Sequence, residues 1–320
     1  MSGPALSLSK DYRNAFERHR AETRERLRNA EVTRPGPGSV SWKINRERLV
    51  VAGWGRAILL QLAHPLVAAG IDAHSSFRGT LSGSLIRFWA TVAAMLSLTF
   101  GDDEEAIATA ARINAIHDRV LGRLRAPAGV FSAGATYSAH DADLLRWVHV
   151  TLLDSIPLTY ELLVGALTQE ERERYCAEAA VMEPLLDIPA GLLPRSTTEL
   201  DALMREMLAS GTVAITPASR ALARAVLFPP RWRLLWPFFR PVQLITIGLL
   251  PEAVRDAYGF EWRRQDARAL ARWTTALKLI RLLPSPVRRW PSSAKTVRAK
   301  AIPSSTPAAN APIEVLCDTK

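Results

Sequence analysis

The sequence predicts an all-α protein, built as a single globular multi-helix bundle. From residue 45 onward, apolar residues recur three and four positions apart, which is the spacing of an amphipathic helix. No stretch alternates apolar and polar residues clearly enough to demand a strand. The chain has 320 residues, 48% hydrophobic and 22% charged, so it can bury one large core. We therefore expect a helical domain at 41–285, a charged N-terminal helix and linker at 1–40, and a disordered tail at 286–320.

Helix signals follow one another along the first quarter of the chain. Residues 11–31 are charged and helix-prone, and the segment TRPGPGSV at 33–40 breaks the chain after them. A long helix is expected from Arg46 towards His64, where the next residue, a proline, disfavours helical backbone at the histidine. The small residues of this helix would let another helix or a flat ligand approach its backbone: Ala52, Gly53, Gly55 and Ala57.

Two later helices carry histidines on apolar stripes. The segment at 100–124 starts with acidic residues suited to a helix N-terminus, and its stripe includes Ile113, His117 and Val120. A loop at 126–144 follows, in which Asp141 or Asp143 can cap the next helix. Further helices are expected at 169–184, 199–210, 217–227, 251–258 and 263–283.

The segment LLRWVHVTLLDS, residues 144–155, places a histidine on the buried face of its helix. Positions three and four apart share a face, so Leu145, His149, Leu152 and Ile156 form one stripe and His149 is predicted to point into the core. A buried histidine is most often a core residue whose nitrogens find hydrogen-bond partners. His117 lies on a second such stripe, and two inward imidazoles on separate helices favour a ligand role.

A helical bundle with inward imidazoles can hold haem, a di-iron centre or zinc. The Glu-x-x-His pairs of di-iron bundles and the His-Glu-x-x-His motif of zinc hydrolases are both absent from the sequence. Dinucleotide, Walker and nucleophile-elbow motifs are absent as well. Haem requires only one axial histidine, an apolar pocket and a few polar groups. Among these cofactors, haem therefore makes the fewest demands on the sequence, and the chain supplies the residue types it needs.

The net charge of +10 is concentrated in the last third of the chain. There, the segment FPPRWRLLWPFFRPVQLITIGLLP at 228–251 interleaves arginines with aromatic and apolar residues, which suits peripheral contact with an anionic membrane surface. A core-covering segment with solvated arginines is the alternative. Because no helix-turn-helix, zinc-finger or RNP motif accompanies the charge, nucleic acid is not expected as a partner.

The sequence gives few indications of compartment. The N-terminus lacks a signal-peptide pattern, and no apolar run requires a transmembrane helix. Cys176 and Cys317 are far apart and in no ligand spacing, so neither a disulfide framework nor a zinc site follows. We expect a cytoplasmic setting, with peripheral contact at the inner membrane surface as an option.

Five blocks of sequence resemble one known family in the same order. They are WKINRE at 42–47, GRAILLQLAHPLVAAGIDAHS at 55–75, IHDRVLG at 116–122, YSAHDADLLRWVHVTLLDS at 137–155 and LLPEAVRDAYGFEW at 249–262. Over roughly residues 40–285 the chain is similar to the oxygenases that include the MpaB-type enzymes and the latex-clearing rubber oxygenases. The resemblance implies an all-helical fold whose core histidines form a pocket for haem b. It also implies oxidative cleavage, by dioxygen, of a carbon-carbon double bond in a hydrophobic, polyprenoid-like substrate.

The resemblance also suggests roles for individual residues. The WVH block makes His149 the proximal haem-iron ligand, and His117 matches the region that faces the distal side. Arg112 and Arg119, which flank His117, could reach a propionate or a bound oxygen species. Three more candidates for haem binding are Arg56 and His64, which lie in the second block, and Tyr137, whose hydroxyl could reach the pocket from its loop. The distal lysine that rubber oxygenases can carry has no counterpart, because the chain has no lysine between Lys43 and Lys278.

Two other classes of function fit the same residues. A haem-binding sensor or carrier would use the same axial histidine without turnover. A metal-free helical scaffold at a membrane surface would need no cofactor.

Overall fold

α-Helices dominate the computed structural model. The structure describes the backbone of residues 8–74, 81–228 and 236–293. It describes side chains for residues 10–74, 89–228 and 239–293. The all-α prediction is confirmed. The helices are α1 (Leu8–Asn29), α2 (Val40–Asn45), α3 (Trp54–Leu62), α4 (Pro65–His74), α5 (Leu81–Phe100), α6 (Asp103–His117), α7 (Ala142–Leu163), α8 (Gln169–Glu178), α9 (Met182–Leu186), α10 (Thr197–Ala209), α11 (Pro217–Leu227), α12 (Trp236–Gly248), α13 (Glu252–Tyr258), α14 (Arg264–Lys278) and α15 (Ser285–Arg288). Short 3₁₀ helices cover Arg48–Gly53, Ala179–Val181 and Leu279–Leu282.

The largest part of the core surrounds α7, which packs against α3 and the 3₁₀ helix before it. Trp147 of α7 is buried, and its indole N–H donates to the carbonyl of Leu60 at 3.2 Å. A second apolar cluster joins α5, α6 and α9 with Leu145 of α7. Helix α7 therefore contributes residues to both clusters, and packing on both sides holds the helix in place.

The helix starts follow the capping signals in the sequence. Asp102 caps α6 by accepting from the backbone N–H of Glu105 at 2.8 Å. Asp141 caps α7 by accepting from Asp143 at 3.0 Å and Leu144 at 3.2 Å. Of the two aspartates considered for this role, Asp141 is the cap.

The long helix expected from Arg46 to His64 is divided. It consists of the 3₁₀ helix Arg48–Gly53 followed by α3, and the chain bends by 104° at the His64-Pro65 dipeptide before α4 begins. A Cβ on Gly53 would lie 2.2 Å from Thr159 Oγ1 of α7, and one on Gly55 would lie 2.2 Å from Thr246 Oγ1 of α12. At both glycines the close neighbour is another helix, so of the two expected occupants, helix or flat ligand, a helix is found.

A short hairpin interrupts the helical pattern and was not predicted. Strand β1 (Leu121–Arg123) pairs antiparallel with β2 (Thr136–Ser138), and Gly122 lies opposite Tyr137. Each strand has only three residues, which is too few for an alternating pattern to stand out. The hairpin leads the chain from α6 to α7.

Two predicted segments have described and undescribed parts. Residues 229–235 of the expected membrane segment at 228–251 lie outside the described residues, while Leu244, Ile245, Ile247 and Leu250 are buried in the core. The described part of this segment therefore matches the core-covering alternative. Residues 286–293, assigned above to a disordered tail, include most of α15, and the backbone N–H of Trp290 donates to the carbonyl of Arg46 at 3.0 Å. The prediction for 294–320 lies outside the described residues.

Among the described helices, none is by itself long and apolar enough to cross a membrane. The bent pair Arg48–Leu62 and Pro65–His74 satisfies the length and composition test only when its two halves are taken together.

Candidate functional site

His149 lies in the first half of α7, between the two apolar clusters, and is partly buried. Its Nδ1 is 3.0 Å from the carbonyl oxygen of Leu145, one helical turn earlier. A carbonyl only accepts, so this contact assigns the proton to Nδ1 and leaves a lone pair on Nε2. Nε2 makes no hydrogen bond to any residue that the structure describes. Burial lowers the pKa of His149, which favours the neutral imidazole.

His117 is the last residue of α6 and lies close to two other histidines. Its ring meets that of His140 edge-on, with 5.7 Å between the centroids. Burial is the main reason why the pKa of His117 falls to about 4, and the neighbouring His140 and His149 lower it further. Its Nδ1 is buried and has no hydrogen-bond partner in the described part of the chain. His117 and His149 are thus two imidazoles on separate helices whose lowered pKa values favour the neutral form.

His64 and Tyr137 have local structural roles near the hairpin. The Nδ1 of His64 accepts from the backbone N–H of Leu66 at 3.3 Å, and burial lowers the pKa of His64 to about 4. Tyr137 is buried, and a Cβ on Gly122 would lie 2.5 Å from its hydroxyl oxygen, so the ring covers this glycine. Burial raises the pKa of Tyr137. Both residues border a small apolar cluster that contains Leu66 and packs against Phe131.

Arg56 is buried in contacts with other parts of the protein. Its Nη1 lies 2.5 Å from Asp154 Oδ2 and donates to Ser155 Oγ at 2.7 Å, while its Nε donates to the carbonyl of Leu249 at 2.7 Å. These contacts engage Nε and Nη1 of the guanidinium, and a role of Arg56 at a haem stays a prediction. Asp154 is accordingly a partner of Arg56, whereas the acceptor for His149 is the carbonyl of Leu145.

The two arginines near His117 are both exposed. The guanidinium of Arg119 lies over the ring of Tyr12 in α1, at 5.6 Å from the centroid. The described residues show no contact of either Arg112 or Arg119 with His149. Their roles at a haem therefore stay predictions.

The structure also assembles a cluster that the sequence analysis missed. His19 of α1, Asp118 after α6 and His140 before α7 place their ligand-type atoms within 4.8 Å of one another. His19 and Asp118 are 99 positions apart, so no spacing motif could have connected them. The available signal was that the chain has only six histidines, and that His19 and His140 are two of those to which the sequence analysis gave no role.

The donor chemistry around His149 suits a haem-iron ligand. Iron coordinates a neutral imidazole, and a ligating histidine commonly donates its other N–H to a carbonyl or carboxylate. His149 meets both conditions, and the orphaned, buried Nδ1 of His117 supplies a second polar atom nearby. The described residues do not define a porphyrin-sized pocket around His149, so the haem pocket itself stays a prediction.

An all-helical domain with neutral imidazoles on separate helices is of a kind that can hold a metal cofactor in a helical bundle. The chain belongs to the family described as "ER-bound oxygenase mpaB/B'/Rubber oxygenase, catalytic domain", whose model matches residues 42–279. The family resemblance is therefore confirmed over more than half of the chain, including His117 and His149. Comparisons with curated proteins and with solved structures find no match.

Proposed function

We propose that this oxygenase-family domain is a haem b-dependent oxygenase that cleaves a carbon-carbon double bond of a hydrophobic, isoprenoid-like substrate with dioxygen. The proposal rests chiefly on one observation: Leu145 binds the Nδ1 proton of His149 and leaves Nε2 available. Family membership supports oxygenase chemistry. Haem as the cofactor and an isoprenoid-like molecule as the substrate are what we propose in addition.

Each residue has a defined task in this proposal. His149 would hold the iron through Nε2, and the Leu145 carbonyl fixes the tautomer and orientation of the imidazole ring. His117, whose pKa of about 4 favours the neutral imidazole, would offer a buried polar atom without adding charge to an apolar site. Arg112 and Arg119 are exposed cations within two turns of His117, so we keep them as candidate partners for propionates or for an oxygen species.

Bound haem would supply the reaction with dioxygen. Cleavage of one C=C bond by one O₂ gives two carbonyl groups, and both oxygen atoms are retained in the products. The reaction is therefore balanced without an external reductant. The task of the protein is to hold the haem, exclude water and orient the double bond.

An enzyme with a hydrophobic substrate benefits from contact with a lipid surface, where such a substrate partitions. Among the described residues, the best candidate for this contact is the surface formed by α14 and the 3₁₀ helix after it. Leu279 and Leu282 are 62% and 76% exposed, and Arg272 and Arg281 are also exposed. Apolar side chains beside cations suit the interface of an anionic membrane. We therefore propose peripheral attachment through this surface, on the cytoplasmic side.

The ligand assignment is tested by haem binding. Protein from haem-supplemented cells should show a Soret band and about one haem b per chain in a pyridine haemochrome assay. His149→Ala should lose nearly all of this haem, because the substitution removes the proposed ligating nitrogen. His74→Ala is the matched control, since His74 is exposed at the end of α4 and its Nε2 is 3.1 Å from the carbonyl oxygen of Leu121.

Full haem content in a folded His149→Ala protein would reject His149 as the ligand. Circular dichroism of the variant would establish that it is folded.

A further inference from the structure

Three side chains from separate segments meet at a place that does not include the proposed haem ligand, His149. The Nε2 atoms of His19 and His140 lie 3.0 and 2.8 Å from the same oxygen, Oδ1 of Asp118. The two imidazole rings are stacked, with 5.9 Å between the centroids. Two imidazole nitrogens and one carboxylate oxygen thus converge on one point.

This geometry is close to that of a tetrahedral metal site. Zinc bonds to nitrogen and oxygen are about 2.1 Å long, so neighbouring ligand atoms in a tetrahedron lie about 3.4 Å apart. The two contacts of Asp118 are shorter than that by roughly half an ångström. Small side-chain rotations would therefore open enough space for an ion.

The electrostatic setting also favours a cation. Burial alone would raise the pKa of Asp118, but hydrogen bonds from His140 and His19 bring it below its ordinary value, so the carboxylate is ionised. Arg18 contacts the other oxygen, Oδ2, at 2.6 Å. The Arg18 side chain is 54% exposed and can turn into solvent when a cation enters.

His19 is held as a metal-binding histidine would be. It is only 5% exposed, and its Nδ1 has no hydrogen-bond partner among the described residues. Glu22 Oε2 lies 3.3 Å from that Nδ1. This contact does not have hydrogen-bond geometry as the side chains stand, but a rotation of the partly exposed Glu22 would give it. A carboxylate that accepts from the distal nitrogen is a common means of orienting a ligating histidine.

We propose that His19, Asp118 and His140 bind one divalent metal ion of the zinc type, with water as the fourth ligand. Two nitrogens and one oxygen in a compact arrangement suit zinc better than calcium or magnesium, which prefer oxygen ligands. His19 precedes the family-matched residues 42–279, so the ion would join α1 to the oxygenase domain. Because the His140 ring contacts His117, the ion would also fix a neighbour of the proposed haem site.

The test is a zinc titration of the full chain after removal of metal with a chelator. Wild type should bind about one Zn²⁺ per chain and unfold at a higher temperature when zinc is present. His140→Ala and Asp118→Asn should each weaken binding at least about tenfold and abolish the thermal shift. His140 and Asp118 are partly exposed, which allows both variants to fold.

Two controls separate this site from the proposed haem ligand. His74→Ala and His149→Ala should bind zinc as wild type does, whereas His140→Ala should retain its haem. Absence of zinc binding by wild type would overturn the proposal. Binding that survives in both His140→Ala and Asp118→Asn would overturn it as well. Neither result depends on whether the chain binds haem.

Discussion

At the scale of single residues, hydrogen bonds distinguish histidines that look alike in the sequence. His149 and His117 each lie on an apolar stripe, and that pattern was sufficient to select them. The tautomer of His149 depends on the Leu145 carbonyl at 3.0 Å, and the setting of His64 depends on the Leu66 N–H at 3.3 Å. Such contacts become visible only when the backbone is folded around the ring.

The buried His64 predicts a loss of stability in acid. Its pKa is about 4 in the folded chain against 6.5 ordinarily, so between these pH values the unfolded chain binds a proton that the folded chain does not. Stability should therefore fall as pH drops from 6.5 to about 4, with His64 contributing up to about 3 kcal/mol.

Urea unfolding of wild type and His64→Asn at several pH values measures this contribution. The variant should show a shallower fall in the free energy of unfolding across the window. Parallel curves for the two proteins would contradict the assignment.

Arg56 predicts a large effect on stability. Arg56→Met removes the partner of Asp154 and the donor to Ser155 and to the Leu249 carbonyl. Breaking one side of a buried ion pair costs about 3 kcal/mol. Arg112→Ala, at an exposed position, should change stability by no more than about 0.5 kcal/mol. Urea denaturation compares the two, and equal stabilities would contradict a structural role for Arg56.

At the scale of elements, local signals account for most helix positions. The prediction at 217–227 coincides with α11, and the proline after His64 accounts for the bend before α4. The two strands were missed because three residues are too few to show an alternating pattern, and the packing of Tyr137 on Gly122 is visible only in the folded chain. The cluster of His19, Asp118 and His140 was missed for the same reason, since α1 must first pack on α6.

Close helix packing at Gly53 gives a prediction for this scale. In Gly53→Ala the new methyl group would lie 2.2 Å from Thr159 Oγ1 of α7, which should destabilise the fold by about 1–3 kcal/mol. A Cβ on Gly38 would meet nothing within 4 Å, so Gly38→Ala should be neutral or slightly stabilising. Thermal or urea unfolding distinguishes the two variants. A Gly53→Ala protein as stable as wild type would show that these helices can separate at little cost.

At the scale of the whole molecule, the five sequence blocks were sufficient to identify the family. The sequence also showed that the positive charge is concentrated in the last third of the chain. It did not show which of these cations lie on one exposed surface. The sequence left two interpretations of 228–251 open, membrane contact and a core-covering segment, and the described part of the segment is largely core. Which residues of an amphipathic segment face solvent depends on the helices that pack against it.

The α14 surface predicts binding to anionic vesicles. Wild type should float with vesicles containing phosphatidylserine and not with neutral ones, and salt should weaken the binding. The double variant Arg272→Glu and Arg281→Glu should lose most of it. Arg174→Glu with Arg205→Glu makes the same change of charge at exposed positions elsewhere and should retain binding. Equal loss in both double variants would show that net charge, and not this surface, controls attachment.

Oxygen uptake by the haem-loaded protein, measured together with carbonyl products from a polyisoprenoid substrate, tests the proposed function most directly. We predict that uptake depends on substrate, that each cleaved double bond consumes one O₂ and yields two carbonyl ends, and that His149→Ala abolishes both signals. A protein with full haem content that binds and releases dioxygen without forming product would contradict the oxygenase proposal and identify a haem sensor or carrier.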